Sequence, residues 1–279
     1  MNEPTTTAVV IVAWKNTDAL DECLAGLVDQ SNPPSEFVVA DNDADLGDRI
    51  DAWTDRLAVR HVAMGSNRGP SAARNAGVAA TESALLLFLD DDAVPQSGWV
   101  AAYVDLFADP VIAAARGRVE PKRGHLLNEL ARAYDLGPDV RPSVINTEGN
   151  CAMRRAVFEG IGGFNEDMYG HEGAEISTRI MAEHGDDSVV YTPDAVISHD
   201  YADGFVDYVT KRFRHGTMLR HLEVGATRRA AARSVRRSRW TWRRVLSLPV
   251  KLIGVGAELL GWVWSYLGRA PRSSPAVRS

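Results

Sequence analysis

Three adjacent carboxylates, Asp90, Asp91 and Asp92, follow five apolar residues in the stretch LLLFLDDDAVP (residues 85–95). The apolar run predicts a buried strand, so the acids collect at its carboxyl end. Neighbouring carboxylates raise each other's pKa and oppose folding unless a cation compensates. Short oxygen ligands of this kind suit Mg²⁺ or Mn²⁺, usually shared with substrate phosphates. One or two aspartates after a strand would be an ordinary turn; three in a row after the most apolar run in the chain favour a metal. His199 closes AVISHD. An imidazole beside two aspartates would favour Mn²⁺ over Mg²⁺.

Further candidates sit at other element ends. Asp41 ends EFVVAD, and Trp14 ends AVVIVAW. In NRGPSAARNAG, Gly69 and Pro70 break the chain, Ser71 can cap a helix, and Arg74 and Asn75 fall on its first turn. That turn faces either the strand ends or solvent. Glu172 and Glu175 head the segment HEGAEISTR. Acids there are favourable at a helix N-terminus, and a carboxylate is also the usual device for taking a proton from an attacking hydroxyl. Gly149 and Asn150 allow close backbone approach to a ligand. Arg154 and Arg155 follow, either near that ligand or capping the next helix.

These residues need a scaffold. AVVIVAW, EFVVADND, LAVRHVAM and ALLLFLD read as strands, with helical patterns at TDALDECLAGLVDQ and SAARNAGVAATES. That alternation predicts a parallel α/β sheet, in which ligands bind beyond the strands' carboxyl ends. Asp41 and Asp90–Asp92 fall at such ends. AARGRVEP reads as a further strand, residues 172–184 as a helix, SVVYTPDAVISHD as two short strands, and FVDYVTKRFRHGTMLRHLE as a basic amphipathic helix.

In order along residues 8–200, VVIVAWKN, LAGLVDQSNPPSEFVVADND, NRGPSAARNAG, LLLFLDDD, GNCAMRRAVFEGIGGFNEDM, HEGAEISTR and YTPDAVISHD resemble the inverting family 2 glycosyltransferases. The resemblance implies a GT-A (Rossmann-like) α/β fold with a mixed, mostly parallel sheet flanked by helices. It implies a nucleotide-sugar donor, UDP- or dTDP-linked, a divalent metal (Mn²⁺ or Mg²⁺) and a hydroxyl acceptor. By the family's pattern Asp92 is the direct metal ligand, with Asp90 and His199 beside it. Asp91 would lie nearer the donor ribose or sugar. Asp41 would accept a hydrogen bond from the base, Trp14 would stack on it, and Arg74 and Asn150 would lie by the donor. The family's base motif is Glu-Asp, an apolar residue and an acid; here it reads Glu172-Gly173-Ala174-Glu175. Glycine replaces the usual base, so Glu172 is the expected base and His171 the runner-up. The same departure keeps open a non-catalytic scaffold of this fold. A sugar nucleotidyltransferase is the other rival, but VAWKNTDAL lacks the glycine-rich loop it would need.

The net charge of −6 hides a split. Residues 1–210 carry 15 Lys and Arg against 35 Asp and Glu, and residues 211–279 carry 16 against 2. An acidic body with a basic tail points to an anionic partner for the tail. The run at residues 228–244 is arginine-rich, with two tryptophans and no acid, and residues 245–268 are mainly apolar. Ser247, Lys251, Gly254, Glu258, Gly261 and Ser265 form one small or polar stripe there, suited to helix packing. An arginine cluster beside an apolar helix is a recipe for an anionic membrane surface. Homodimer packing is the second reading; nucleic acid is disfavoured by the acidic body.

The expected organisation is a glycosyltransferase domain over residues 1–224, with a nucleotide-binding half (1–118) and an acceptor half (119–224). Residues 225–279 form a basic, apolar helical extension. The acceptor would be a lipid-linked or surface-glycan precursor at the inner face of the cell membrane. No basic, apolar leader precedes AVVIVAW, and Cys23 and Cys151 lack metal or disulfide spacing, which together predict a cytoplasmic chain with two packed thiols.

Overall fold

A computed structural model describes residues 5–14, 18–43, 45–122, 127, 130, 134–202, 204–219 and 248–267. The expected arginine run at residues 228–244 lies outside them. In chain order the elements are β1 (Thr7–Ala13), α1 (Asp18–Val28), β2 (Glu36–Asp41), α2 (Gly47–Asp51), β3 (Val59–Ala63), α3 (Pro70–Ala79), β4 (Leu85–Asp90) and β5 (Val94–Pro95). Then follow α4 (Trp99–Leu106), β6 (Ala114–Glu120), β7 (Arg141–Pro142), β8 (Asn150–Arg154), α5 (Arg155–Gly160), α6 (Glu172–His184), β9 (Val189–Ser198) and α7 (Phe205–Met218). The helix Leu248–Tyr266, here α8, is the last among the described residues.

One sheet runs β3-β2-β1-β4-β8-β6-β9-β5, with β7 also paired to β9. β3, β2, β1 and β4 are parallel to one another, as are β6 and β9, while β8 runs antiparallel between β4 and β6, and β5 and β7 pair antiparallel to β9. β1 is buried at every position, which is why its sequence is a continuous apolar run rather than an alternating one. Val9, Ile11, Leu87 and Leu89 pack on one face with Leu20, Leu24 and Trp99. Val10, Leu86 and Phe88 pack on the other with Phe158, Phe164 and Ile176. Cys23 and Cys151 are both free and buried.

SVVYTPDAVISHD was expected as two short strands; it is the single strand β9. The interruption lies within β9: Arg116 pairs with Tyr191 and Arg118 with Val196, so β9 bulges through Thr192–Ala195 where β6 advances by two residues.

α8 lies along α7, and the small-residue stripe faces it. A Cβ on Gly261 would run into the backbone of Phe213, and one on Gly254 into the Tyr208 ring. Tyr208 Oη donates to the Val250 carbonyl at 3.1 Å, and Glu258 pairs with Arg212. The opposite side of α8 is exposed and apolar, with Leu252, Leu259, Leu260, Val263 and Tyr266. Among the described residues no helix is long and apolar enough to cross a membrane.

Candidate active site

Strand pairing brings the acids together. β4 ends at Asp90, opposite the start of β8, where Leu89 pairs with Asn150. Gly149 therefore faces Asp90, and any side chain at 149 would occupy the place of the Asp90 carboxylate. On the other side, β5 pairs with the end of β9, Val94 with Ser198. That pairing sets His199 beside Asp92, with Nε2 2.9 Å from Asp92 Oδ1. The His199 backbone N–H is held by the Glu120 carbonyl at 2.8 Å.

Asp90, Asp92 and His199 each offer one ligand atom, and these atoms lie within 4.8 Å of one another. Two carboxylates and one imidazole are a donor set that fits Mn²⁺ well and Mg²⁺ less well. The electrostatics agree. Burial first, then Asp92 and Asp90, pushes the Asp91 carboxyl up to about 7. Burial also pushes Asp92 up, but the adjacent His199 ring outweighs it and holds Asp92 down at about 2. The Asp92 side chain is still 53% exposed, so it is open to a ligand.

The other expected residues divide. Trp14 stands at the end of β1, 38% exposed, and its backbone N–H donates to Asp91 Oδ2 at 3.3 Å. Arg74 is buried rather than solvated: it is 4% exposed, and Nη2 donates to Asp90 Oδ1 at 2.9 Å. Burial alone would lower its pKa, but Asp90, Glu148 and Glu172 together raise it. Asp41 is buried, with Oδ2 accepting from the Leu46 N–H at 2.9 Å and lying 3.0 Å from His61 Nε2.

Asn150 was expected to let the backbone approach the donor; its side chain takes no part in that. Its side chain is wholly buried and spent inside the sheet. Oδ1 accepts from Trp99 Nε1 at 2.7 Å and Tyr103 Oη at 2.9 Å, and Nδ2 donates to the carbonyls of Arg118 and Ala195. Its part is to fix the β8 turn so that Gly149 meets Asp90. The Arg154 and Arg155 side chains do not cap α5; they bind the carbonyls of Phe107, Ile112 and Ser83.

Glu172 begins α6 and is only 7% exposed. Burial first, then Glu148, pushes its carboxyl up to about 7, against the pull of Arg74. Glu175 is committed elsewhere, to Arg179 at 2.8 and 2.7 Å. His171, in the left-handed conformation before α6, packs against His215, the ring centroids 4.8 Å apart and the planes tilted by 50°. Burial lowers its pKa, and its Nε2 has no hydrogen-bond partner, lying 3.9 Å from Glu258.

Two cavities meet here. One, about 130 Å³, is lined by Asp90, Gly149, His199 and Lys211. The second, about 480 Å³, is lined by His171, Glu172 and Arg212, and by Lys251 and Val255 of α8. Tyr134, Asn146, Glu148, Tyr201 and His215 line both. None of these five was singled out in the sequence. Glu148 had a visible signal, an acid directly before the Gly-Asn turn; the others lie on irregular or distant segments.

The family described as Glycosyl transferase family 2 matches residues 8–162. A pre-mycofactocin glycosyltransferase of Mycobacterium tuberculosis is 29% identical over 171 residues, 57% of this chain and 36% of that protein. This chain thus spans about a third of the length of that relative. Glycosyltransferase AglE of Haloferax volcanii is 24% identical across 75% of this chain and 71% of its own. Among solved structures, the mannosyltransferase PcManGT from Pyrobaculum calidifontis, in complex with GDP-Man and Mn²⁺, superposes with a TM-score of 0.67 at 16% identity. It covers 96% of this chain and 89% of its own. S. aureus TarS 1-349 in complex with UDP-GlcNAc gives a TM-score of 0.58 at 14% identity, covering 94% and 81%. At these identities the structural likeness is one of fold.

Proposed function

The chain belongs to glycosyl transferase family 2, and we propose that it transfers a sugar from a nucleotide-sugar donor to a hydroxyl, with inversion, using a divalent metal. The observation that carries this reading is the convergence of Asp90, Asp92 and His199 at the strand ends, beside the smaller cavity. A cation held by these three would act as a Lewis acid on the leaving diphosphate. Trp14 offers a flat face to the nucleotide base. The larger cavity takes the acceptor. Its hydroxyl attacks the anomeric carbon, the bond from that carbon to the diphosphate oxygen breaks, and the proton passes to a carboxylate of the Glu148–Glu172 pair. Arg74 holds Asp90 and faces both glutamates, so it ties the donor side to the acceptor side. Metal-dependent release of nucleoside diphosphate from a nucleotide-sugar panel is the test. PcManGT holds GDP-Man and TarS holds UDP-GlcNAc, so the panel spans guanine and uracil donors as well as dTDP-sugars.

The acceptor is lipid-linked, and the protein works at an anionic membrane surface on the cytoplasmic side. Two features support this: the exposed apolar side of α8 and the arginine-rich run just before it in sequence. Each Lys or Arg near such a surface contributes roughly 1 kcal/mol, a contribution screened as the Debye length falls to ~3 Å at 1 M salt. Apolar insertion is not screened in that way. The full chain should therefore stay on phosphatidylserine-containing vesicles through a 1 M salt wash, while a chain ending at Arg244 should come off. Equal release of both would remove the apolar contribution of α8 from the account.

A further inference from the structure

The geometry points to Glu148 as the general base, standing in for the aspartate that Gly173 replaces. This inference rests on the sugar-transfer reading above. A side chain at position 173 would begin with a Cβ 2.7 Å from Glu148 Oε1, 2.7 Å from the Ile145 carbonyl oxygen and 2.6 Å from Ile145 Cγ2. All three distances are far below van der Waals contact. The space where a residue-173 carboxylate would start is thus filled by the carboxylate of Glu148. The two positions are locked together, because the Gly173 backbone N–H donates to Glu148 Oε1 at 2.6 Å. The charge that a Glu-Asp motif would carry on α6 has moved to the turn before β8, and the glycine makes room for it.

Position separates Glu148 from its neighbours. A base must reach both the anomeric carbon on the donor side and the hydroxyl on the acceptor side. Glu148 lines both cavities, one residue from the Gly149 that meets Asp90. Glu172 and His171 line the acceptor cavity only. Glu172 is nearly enclosed, and Glu175 is tied to Arg179. Glu172 is then a positioning residue, a buried carboxyl behind the base, with Arg74 facing both.

The step balances simply. The attacking O–H gives its proton to Glu148, its oxygen bonds to the anomeric carbon, and the nucleoside diphosphate leaves with the electron pair of the broken C–O bond. With water in place of the acceptor the same step is donor hydrolysis, which needs no knowledge of the acceptor. The experiment measures hydrolysis of UDP-GlcNAc or GDP-mannose, whichever the wild-type chain turns over faster, with Mn²⁺. Glu148→Gln keeps an oxygen for the Gly173 N–H but cannot take a proton at neutral pH. It should lower kcat about 10²–10⁴-fold and leave the dissociation constant for the Mn²⁺–nucleoside diphosphate within threefold of wild type. Glu172→Gln should lose less. Glu148→Asp retains the charge but draws it back by one methylene, and should fall between wild type and Glu148→Gln. Formate should restore part of the rate of Glu148→Ala by serving as an external base. The assignment is overturned if Glu148→Gln keeps more than a third of the wild-type kcat. It is equally overturned if nucleotide binding weakens in proportion to the lost rate, or if Glu148→Asp, folded as wild type, is as inactive as Glu148→Ala and formate rescues nothing. A wild-type chain that neither binds nor hydrolyses any donor would instead fail the sugar-transfer reading itself.

Discussion

Asp92→Asn should reduce metal-dependent sugar transfer by at least ~100-fold, because substitutions even in the groups that merely support metal ligands cost up to about that factor. The substitution keeps the shape and removes one of two ligand carboxylates. It also removes the charge that pairs with His199 at 2.9 Å, leaving only a neutral acceptor. Two effects oppose one another in the fold: Asp91 is relieved of a neighbouring charge, while the ion pair with His199 that holds Asp92 at about 2 is lost. The variant should stay folded in EDTA, while stabilisation by Mn²⁺ with a nucleoside diphosphate should vanish. A variant that turns over near the wild-type rate would move the metal away from Asp92.

Glu172→Gln should give the largest change in stability, with a sign that depends on pH. In the folded chain the Glu172 carboxyl is pushed up to about 7 from an ordinary value of 4.5. Between those values the folded state binds more proton than the unfolded state. The stabilisation is therefore complete below about pH 4.5 and is lost as pH climbs through 7. Gln cannot titrate, so the variant should gain on wild type steadily from pH 5 to pH 8 in urea unfolding curves. Parallel stability–pH curves for the two proteins would show that Glu172 is not a strained, buried carboxyl. Wild type keeping a group that weakens it at neutral pH fits a residue held for the reaction rather than for the fold.

The strand ends were the legible part of this site. Apolar runs fix where β1, β2 and β4 stop, and an acid at a stop is visible as such; that is why Asp90, Asp92 and Asp41 could be named from the sequence. His199 was found through its resemblance to a family motif, and the β5–β9 pairing that sets it beside Asp92 involves only two residues of β5. The structural part played by the Asn150 side chain was not legible. Its four hydrogen bonds run to α4, β6 and β9, partners that only the antiparallel insertion of β8 could bring together. Glu148 was hidden too. It sits on an irregular turn with no periodicity, and its relation to Gly173 spans 25 positions. The glycine was read as a loss at the base position; the other half of the exchange needed the packing of α6 against the turn before β8. The stripe on α8 was legible as a packing surface, but not that its partner is α7 or that Lys251 and Val255 line the larger cavity.

The measurement that bears most directly on the central claim is release of nucleoside diphosphate from a panel of UDP-, GDP- and dTDP-sugars by the purified full chain, with Mn²⁺ and with EDTA. The account predicts turnover of at least one donor with Mn²⁺, with the sugar appearing on water or on an added alkyl glycoside, and none in EDTA. Pyrophosphate exchange without sugar transfer, or a folded chain that neither binds nor consumes any donor in the presence of Mn²⁺, would contradict it.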